Sequence, residues 1–285
     1  MKQYLLASLF AGAVALPAMA DYTIIAPANP GGGWDQTART MQTVMQEDGI
    51  SPSVQVQNVP GAGGTIGLAQ FASQNKGNDQ SLIVGGYVMV GAILTNNSPV
   101  SLKDVTPIAR LTGEYEAVVV PAASPIQDMA GLIAKAAGVD PTKINYIAYS
   151  GGGEALAAIL GNQVTAGVSS LGEFDAQVKA GTLRLLAVSA PERIAGVEAP
   201  TLKEAGLDVE LQNWRMVAAA PGLSDEQKAK VSADIEKMVK SENWQKQLAD
   251  KGWSDTYLSG ADFDAQLAKD EEATAAVLKD IGLVK

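Results

Sequence analysis

Three stretches of this chain share one design: a short apolar strand pattern, a glycine-rich loop and a helix pattern. The first runs from a strand over 22–27 (YTIIAP) through Pro30-Gly31-Gly32-Gly33-Trp34-Asp35 to a helix over 36–46, with apolar positions at Ala38, Met41, Val44 and Met45. The second joins strand 53–58 to a helix over 65–73 through Pro60-Gly61-Ala62-Gly63-Gly64. The third joins strand 144–149 to a helix over 154–160 through Ser150-Gly151-Gly152-Gly153. Strands alternating with helices imply parallel βαβ units and a three-layer α/β fold.

Such loops lie at the carboxyl ends of parallel strands, where ligands bind in open α/β sheets. Glycine lets the backbone approach a ligand closely, and the first N–H groups of the following helix point outward without an intrahelical partner. The helix dipole adds a preference for negative charge, so a carboxylate or phosphate is the expected guest. The donors would be the amides of Gly31, Gly32, Gly33, Trp34 and Asp35, of Gly63, Gly64 and Thr65, and of Ser150, Gly151, Gly152 and Gly153, with Tyr149 or Trp214 shaping the cleft. The alternative is that tight βα turns simply need glycine for positive φ. Nucleotides fit poorly: Ile66 and Gln36 stand where a dinucleotide fingerprint wants its third Gly, and no GxxxxGK[ST] occurs.

Composition narrows the chemistry. With no His and no Cys, the chain lacks thiolate nucleophiles, disulfides and the commonest general base and metal ligand, so no cofactor or metal is expected. An enzyme here would rely on carboxylates, for which Asp35 and Glu154 are the candidate acid/base pair of an exported carboxylate- or sugar-processing catalyst. Asp35 alternatively caps the helix after the first loop, or fixes the loop against the ligand. Arg39 lies one turn further on, where it either reaches an anion or is solvated. The runs Glu114-Tyr115-Glu116 and Asp270-Glu271-Glu272 lack calcium-loop spacing and read as solvated faces.

Residues 1–20 read as a cleaved signal peptide: Lys2 precedes an apolar run over 5–16, and Ala18-Met19-Ala20 forms the cleavage site before Asp21. The chain is thus expected in the periplasm, exported across the inner membrane. Removing Lys2 with that segment leaves 20 basic and 31 acidic side chains, an acidity that argues against nucleic acid or anionic lipid as partner. The apolar stretch 82–95 is too short to span a bilayer and reads as a buried strand followed by a buried helix. Further strands are expected over 117–121, 164–169, 183–189 and 215–220. A helix capped by Ser224 should run to about 239, and a terminal amphipathic helix over 261–281. No linker divides the chain, which favours two lobes joined by strand crossings, placed over 107–116 and 199–214.

The segments PGGGWDQTAR (30–39), NVPGAGGTIGLAQF (58–71), YSGGGEALAAILG (149–161), LRLLAVSAPER (183–193), PTLKEAG (200–206) and NWR (213–215) resemble, in this order, the solute receptors of tripartite tricarboxylate transporters, the Bug-type periplasmic binding proteins. The resemblance implies a two-lobed, periplasmic-binding-protein type II-like fold, each lobe a three-layer α/β sandwich, with a hinge of crossing strands. Lobe 1 would comprise residues 21–110 and 215–285, and lobe 2 residues 111–214. It also implies a monomer that grips a carboxylate between loop amides of both lobes and docks on integral-membrane permease subunits. Members bind di- or tricarboxylates such as citrate, amino acids or aromatic acids, and the GGGWD form looks closest to the tricarboxylate receptors. This sequence departs from the pattern between Pro125 and Ala137, where only residues 126–136 stand in place of a further strand, loop and helix start. The missing loop is one that the family uses to hold ligand from the second lobe.

Overall fold

The computed structural model describes residues 22–137 and 152–284, together with Asn145, Ile147 and Tyr149. Residues 1–20, Ser150, Gly151 and most of the expected 144–149 strand lie outside the described residues, and Asn145, Ile147 and Tyr149 belong to no strand.

The first two glycine units fold as the sequence pattern predicts. β1 (Tyr22–Ala26) lies between β2 (Val54–Asn58) and β3 (Ser81–Gly86), parallel to both, with Ile24 opposite Val56 and Leu82. α1 (Gly33–Glu47) and α2 (Thr65–Gln74) make the crossovers, and α3 (Tyr87–Thr95) follows β3 without a break. Beyond β3 the all-parallel expectation fails, because β4 (Thr106–Pro121) and β7 (Gln212–Ala219) enter the sheet antiparallel. The order is β2-β1-β3-β7-β4, with β8 (Ser254–Ser259) on the far side of β4.

β4 is 16 residues long and belongs to two sheets. Its first part, Thr106 to Tyr115, pairs with β7; from Glu116 on it pairs with β5 (Gly167–Ser170) and β6 (Leu183–Val188). The last pair on one side is Tyr115 opposite Gln212, and the first on the other is Glu116 opposite Ser170. The molecule therefore has two lobes joined where one strand changes partners, and the expected strand 117–121 is only the distal third of that strand.

Each sheet is covered on both faces. On the larger one, Tyr22, Ile24, Val84 and Leu111 pack with Met41 and Met45 of α1, Val231 and Ile235 of α7 (Asp225–Val239), and Trp244 and Leu248 of α8 (Glu242–Lys251). The opposite face packs Ile25, Ile83 and Met216 against Leu68 and Phe71 of α2, Met89 of α3, and Phe263 and Leu267 of α9 (Gly260–Asp280). The smaller sheet has Val118, Val120 and Leu186 under Met129 of α4 (Met129–Ala137) on one face. On its other face Ala117, Val119 and Leu183 lie under Ile159 of α5 (Gly152–Leu160) and Phe174 of α6 (Leu171–Lys179). At α7 the expected cap is reciprocal: Gln227 N–H donates to Ser224 Oγ (3.2 Å), and Ser224 N–H to Gln227 Oε1 (3.0 Å).

Trp244 is fully buried, and its indole N–H has no acceptor among the described residues. Trp244→Ala is expected to cost about 3–5 kcal/mol in urea unfolding. Trp244→Phe discards the unsatisfied donor along with some volume and should cost well under half as much.

Candidate functional site

The first glycine loop is held by a buried carboxylate. α1 begins at Gly33, earlier than the periodicity of 36–46 indicates, and its N-cap Gly32 supplies no side-chain hydrogen bond. Asp35 is thus inside the first turn and is not the N-cap. Its Oδ2 accepts from Gly31 N–H (2.7 Å) and Arg39 Nε (2.9 Å), and its Oδ1 accepts from Asn58 Nδ2 (2.8 Å). Burial alone would raise the Asp35 pKa, but these donors and the Arg39 charge together hold it below the usual carboxylate range. An ionised carboxylate that already accepts three hydrogen bonds is a clamp for the loop and is unsuited to shuttling protons. Arg39 is engaged in that clamp through Nε, with its side chain half exposed.

The second loop is fixed by packing. Gly61, Gly63 and Gly64 all have positive φ (129°, 60° and 90°). A Cβ on Gly64 would sit 2.7 Å from Cζ3 of Trp34, and one on Gly63 would collide with Ala92. Trp34 therefore lies against the second loop. The Thr65 hydroxyl donates to Ala62 O (2.9 Å), closing the turn.

Of the third loop, Gly152 is the first residue of α5 and is buried; Gly153 and Glu154 are exposed, and Tyr149 is half-buried. Gly152 packs directly on the carboxylate of Glu173, to which the Ser169 hydroxyl donates. The Glu173 carboxylate thus lies against the first residue of this helix.

Sequence reasoning missed the groups that occupy the junction between the lobes. Glu114 and Glu116 flank the point where β4 changes sheets, so they are not the solvated face expected of them; Glu114 is 7% exposed. Arg215 on β7 is 3% exposed, ion-paired through Nη2 with Glu114 Oε2, and stacked over Trp253 (5.1 Å to the ring centroid). Its guanidinium also lies on Gly33: a Cβ there would be 2.5 Å from Nη2. Nη1 is buried with no acceptor among the described residues. Asn213 Nδ2 donates to Ser170 Oγ (3.3 Å), and Ser170 Oγ–H to Glu116 Oε1 (3.4 Å). The available signal was an acid–aromatic–acid triplet inside a strand, and a lone Arg opening an apolar one. Among the described residues no group of three or more acids, His or Cys is placed to hold a metal ion.

Burial pushes Glu116 up to about 7, and the charges of Glu114 and Glu173 add to this, while Asn213 and Arg215 oppose it. Glu173 is likewise raised, first by burial, with the Ser169 hydroxyl opposing and Glu114 reinforcing. For Glu116 the folded state binds its proton more tightly than the unfolded state, whose value is 4.5. Its contribution is therefore intact below that pH and is lost as pH rises toward about 7. Glu116→Gln is expected to stabilise the protein above about pH 7, by at most about 3 kcal/mol, and to make no difference near pH 4. Denaturant midpoints across that range check it, and a difference independent of pH would contradict the assignment.

The family model for the tripartite tricarboxylate transporter family receptor matches residues 37–148 and 145–283, two stretches that overlap at 145–148. A UPF0065 protein of Cupriavidus necator is 27% identical over 276 residues, covering 83% of this chain and 80% of the relative. The periplasmic binding protein BugD superposes with a TM-score of 0.80 at 20% identity, covering 93% of this chain and 98% of BugD. A Rhodopseudomonas palustris protein, MatC, solved with bound malate, gives 0.74 at 21% identity over 91% of this chain and 98% of MatC. Neighbours at this identity establish the type II two-lobed fold, while the family match covers most of the chain. The chain belongs to the tripartite tricarboxylate transporter receptor family, whose members are solute-binding receptors and not enzymes.

Proposed function

We propose that this protein is a periplasmic receptor that captures a small carboxylate between its lobes and delivers it to a tripartite membrane transporter. Tri- and dicarboxylates such as citrate are the ligands that the resemblance suggests. In this reading residues 1–20 are removed on export and the mature protein acts as a monomer. Its lobes, residues 21–110 with 215–285 and residues 111–214, move about β4 and β7. The observation that carries the reading is the amino terminus of α1 between the lobes. It has no side-chain cap, and the guanidinium of Arg215 lies on its first residue. Two positive features in contact favour an anion beside them, and the Asp35 carboxylate in the same turn is already committed to Gly31, Arg39 and Asn58. Glu114 supplies one negative charge through Nη2 and leaves Nη1 open to a second. We assign the ligand carboxylate to Arg215 and the first-turn amides of Gly33, Trp34 and Asp35. Gly64 braces Trp34, while Gly63 and Thr65 shape the second loop. An acid/base role for Asp35 and Glu154 has no support here, because Asp35 is locked ionised.

A ligand that binds only the folded state stabilises it by RT ln(1 + L/Kd), with L its free concentration, which is about 2.7 kcal/mol at a hundredfold excess over Kd. Citrate, malate, succinate, glutamate and aromatic acids are to be screened by thermal unfolding, and at least one should raise the melting temperature in a concentration-dependent way. Gly33→Ala, which displaces the guanidinium, should abolish that response. A flat response to all of them would refute the receptor assignment.

A further inference from the structure

The first two glycine loops leave neighbouring parallel strands, and one side chain joins them. Asn58 is the last residue of β2, opposite Ala26 of β1, and the second loop starts just beyond it. Its Nδ2 donates to two acceptors of the first unit: Ala28 O (3.0 Å), in the loop itself, and Asp35 Oδ1 (2.8 Å), in the first turn of α1. Its Oδ1 accepts from Arg39 Nη2 (3.4 Å), so the amide has one sense only. Asp35 in turn accepts from Gly31 N–H and Arg39 Nε, and the Gln36 side chain donates to Gly31 O (2.9 Å). The start of α1 is thus held twice by the β2–α2 unit, once by Asn58 through Asp35 and once by Gly64 against Trp34.

Resting on the receptor reading above, we propose that Asn58 is a positioning residue for ligand capture, acting through Asp35 to aim the first-turn amides of α1 at the ligand carboxylate. The physical reason is directional. Asp35 has one methylene between its carboxylate and the backbone, so fixing the carboxyl plane fixes the turn that carries it. Without Asn58, Oδ1 of Asp35 loses its donor, and both remaining donors act on Oδ2, about which the group can swing. Gly31 and Gly32 have no side chain to hold the loop in its place. The order must then be supplied at the moment of binding, and affinity falls by that cost.

An acid at position 58 separates this role from mere packing. In Asn58→Asp the ionised side chain sets an oxygen against Asp35 Oδ1 and Ala28 O, whereas the protonated one regains a donor for Asp35. The charged groups that meet position 58 among the described residues are Asp35, which favours that proton, and Arg39, which opposes it, both on α1. The variant therefore regains the native contact as pH falls.

The experiment is calorimetric titration of the mature wild-type protein, Asn58→Ala and Asn58→Asp with citrate, malate, succinate, glutamate and benzoate, near pH 8 and near pH 5. Each affinity is taken relative to wild type at the same pH, which cancels the ionisation of the ligand and of Glu116. For every acid that binds wild type, Asn58→Ala should be about tenfold weaker at both pH values. Asn58→Asp should be at least as weak near pH 8 and recover most of the loss near pH 5. Circular dichroism and melting temperatures of the ligand-free variants verify folding; a packing role alone lowers the melting temperature and leaves the affinity ratio near one. If Asn58→Asp is unfolded near pH 8, the exchanged pair Asp35→Asn with Asn58→Asp, which again sets an amide donor against a carboxylate, takes its place and should bind more tightly than Asn58→Ala. Wild-type affinity in folded Asn58→Ala, a loss in Asn58→Asp that ignores pH, or no recovery in the exchanged pair would overturn the role of Asn58 and leave the receptor reading in place. No binding of any of the five acids to wild type would overturn both.

Discussion

The buried ion pair between Glu114 and Arg215 is the contact around which the junction of the lobes is organised. Both residues sit on strands that run through the crossing, Glu114 two positions before the first β4–β5 pair and Arg215 on the strand opposite. Taking either charge out of water is expensive, and removing one partner typically costs about 3–5 kcal/mol because the other is left buried alone. The pair is therefore a poor source of net stability and a strong constraint on geometry. It fixes the guanidinium on Gly33 and over Trp253, which ties α1 and the loop after α8 to the crossing. Gly33 is required for this approach and not for backbone freedom, since a side chain there would meet the guanidinium directly.

The three glycine loops, alike as text, do three different jobs. Gly31, with positive φ, opens a turn that Asp35 clamps, leaving the start of α1 uncapped. Gly63 and Gly64 make room for Ala92 and Trp34. Gly152 makes room for a carboxylate of the same lobe. Glycine content reports that something approaches the backbone, and only the fold says whether that is an indole, a guanidinium, an acid or a ligand.

Much of the architecture was legible because it rests on short-range pattern. The strand–loop–helix of 22–47, the division of 82–95 into β3 and α3, and the Ser224–Gln227 cap all follow from periodicity and local hydrogen bonding. What the pattern hid was non-local. Antiparallel entry of β4 and β7 depends on which strand ends meet in space, and β8, a sheet-edge strand reading SDTYLS, carries no buried alternation to announce it. The site was hidden for the same reason. Glu114, Glu116 and Arg215 are charged residues that would be solvated on any surface strand; Glu114 and Arg215 are buried, and Glu116 half-buried, only because β4 leaves one sheet and enters another between Tyr115 and Glu116.

That placement also explains how a chain with neither His nor Cys has a group whose pKa is raised to about 7. A carboxylate within a single sheet either reaches solvent along one face or is replaced by an apolar residue. At this crossing Glu116 is desolvated, and among the described residues no cation forms an ion pair with it, although the Arg215 charge acts on it. Such a group is costly in the empty protein and inexpensive once a complementary charge arrives, which is the free-energy profile that a binding site needs. Asp35, with three donors already in place, has the opposite profile, because nothing a ligand brings improves on what it has. The contrast separates the two carboxylates by environment: one is fully engaged in maintaining the loop, and the other sits at the sheet crossing with its charge opposed by burial.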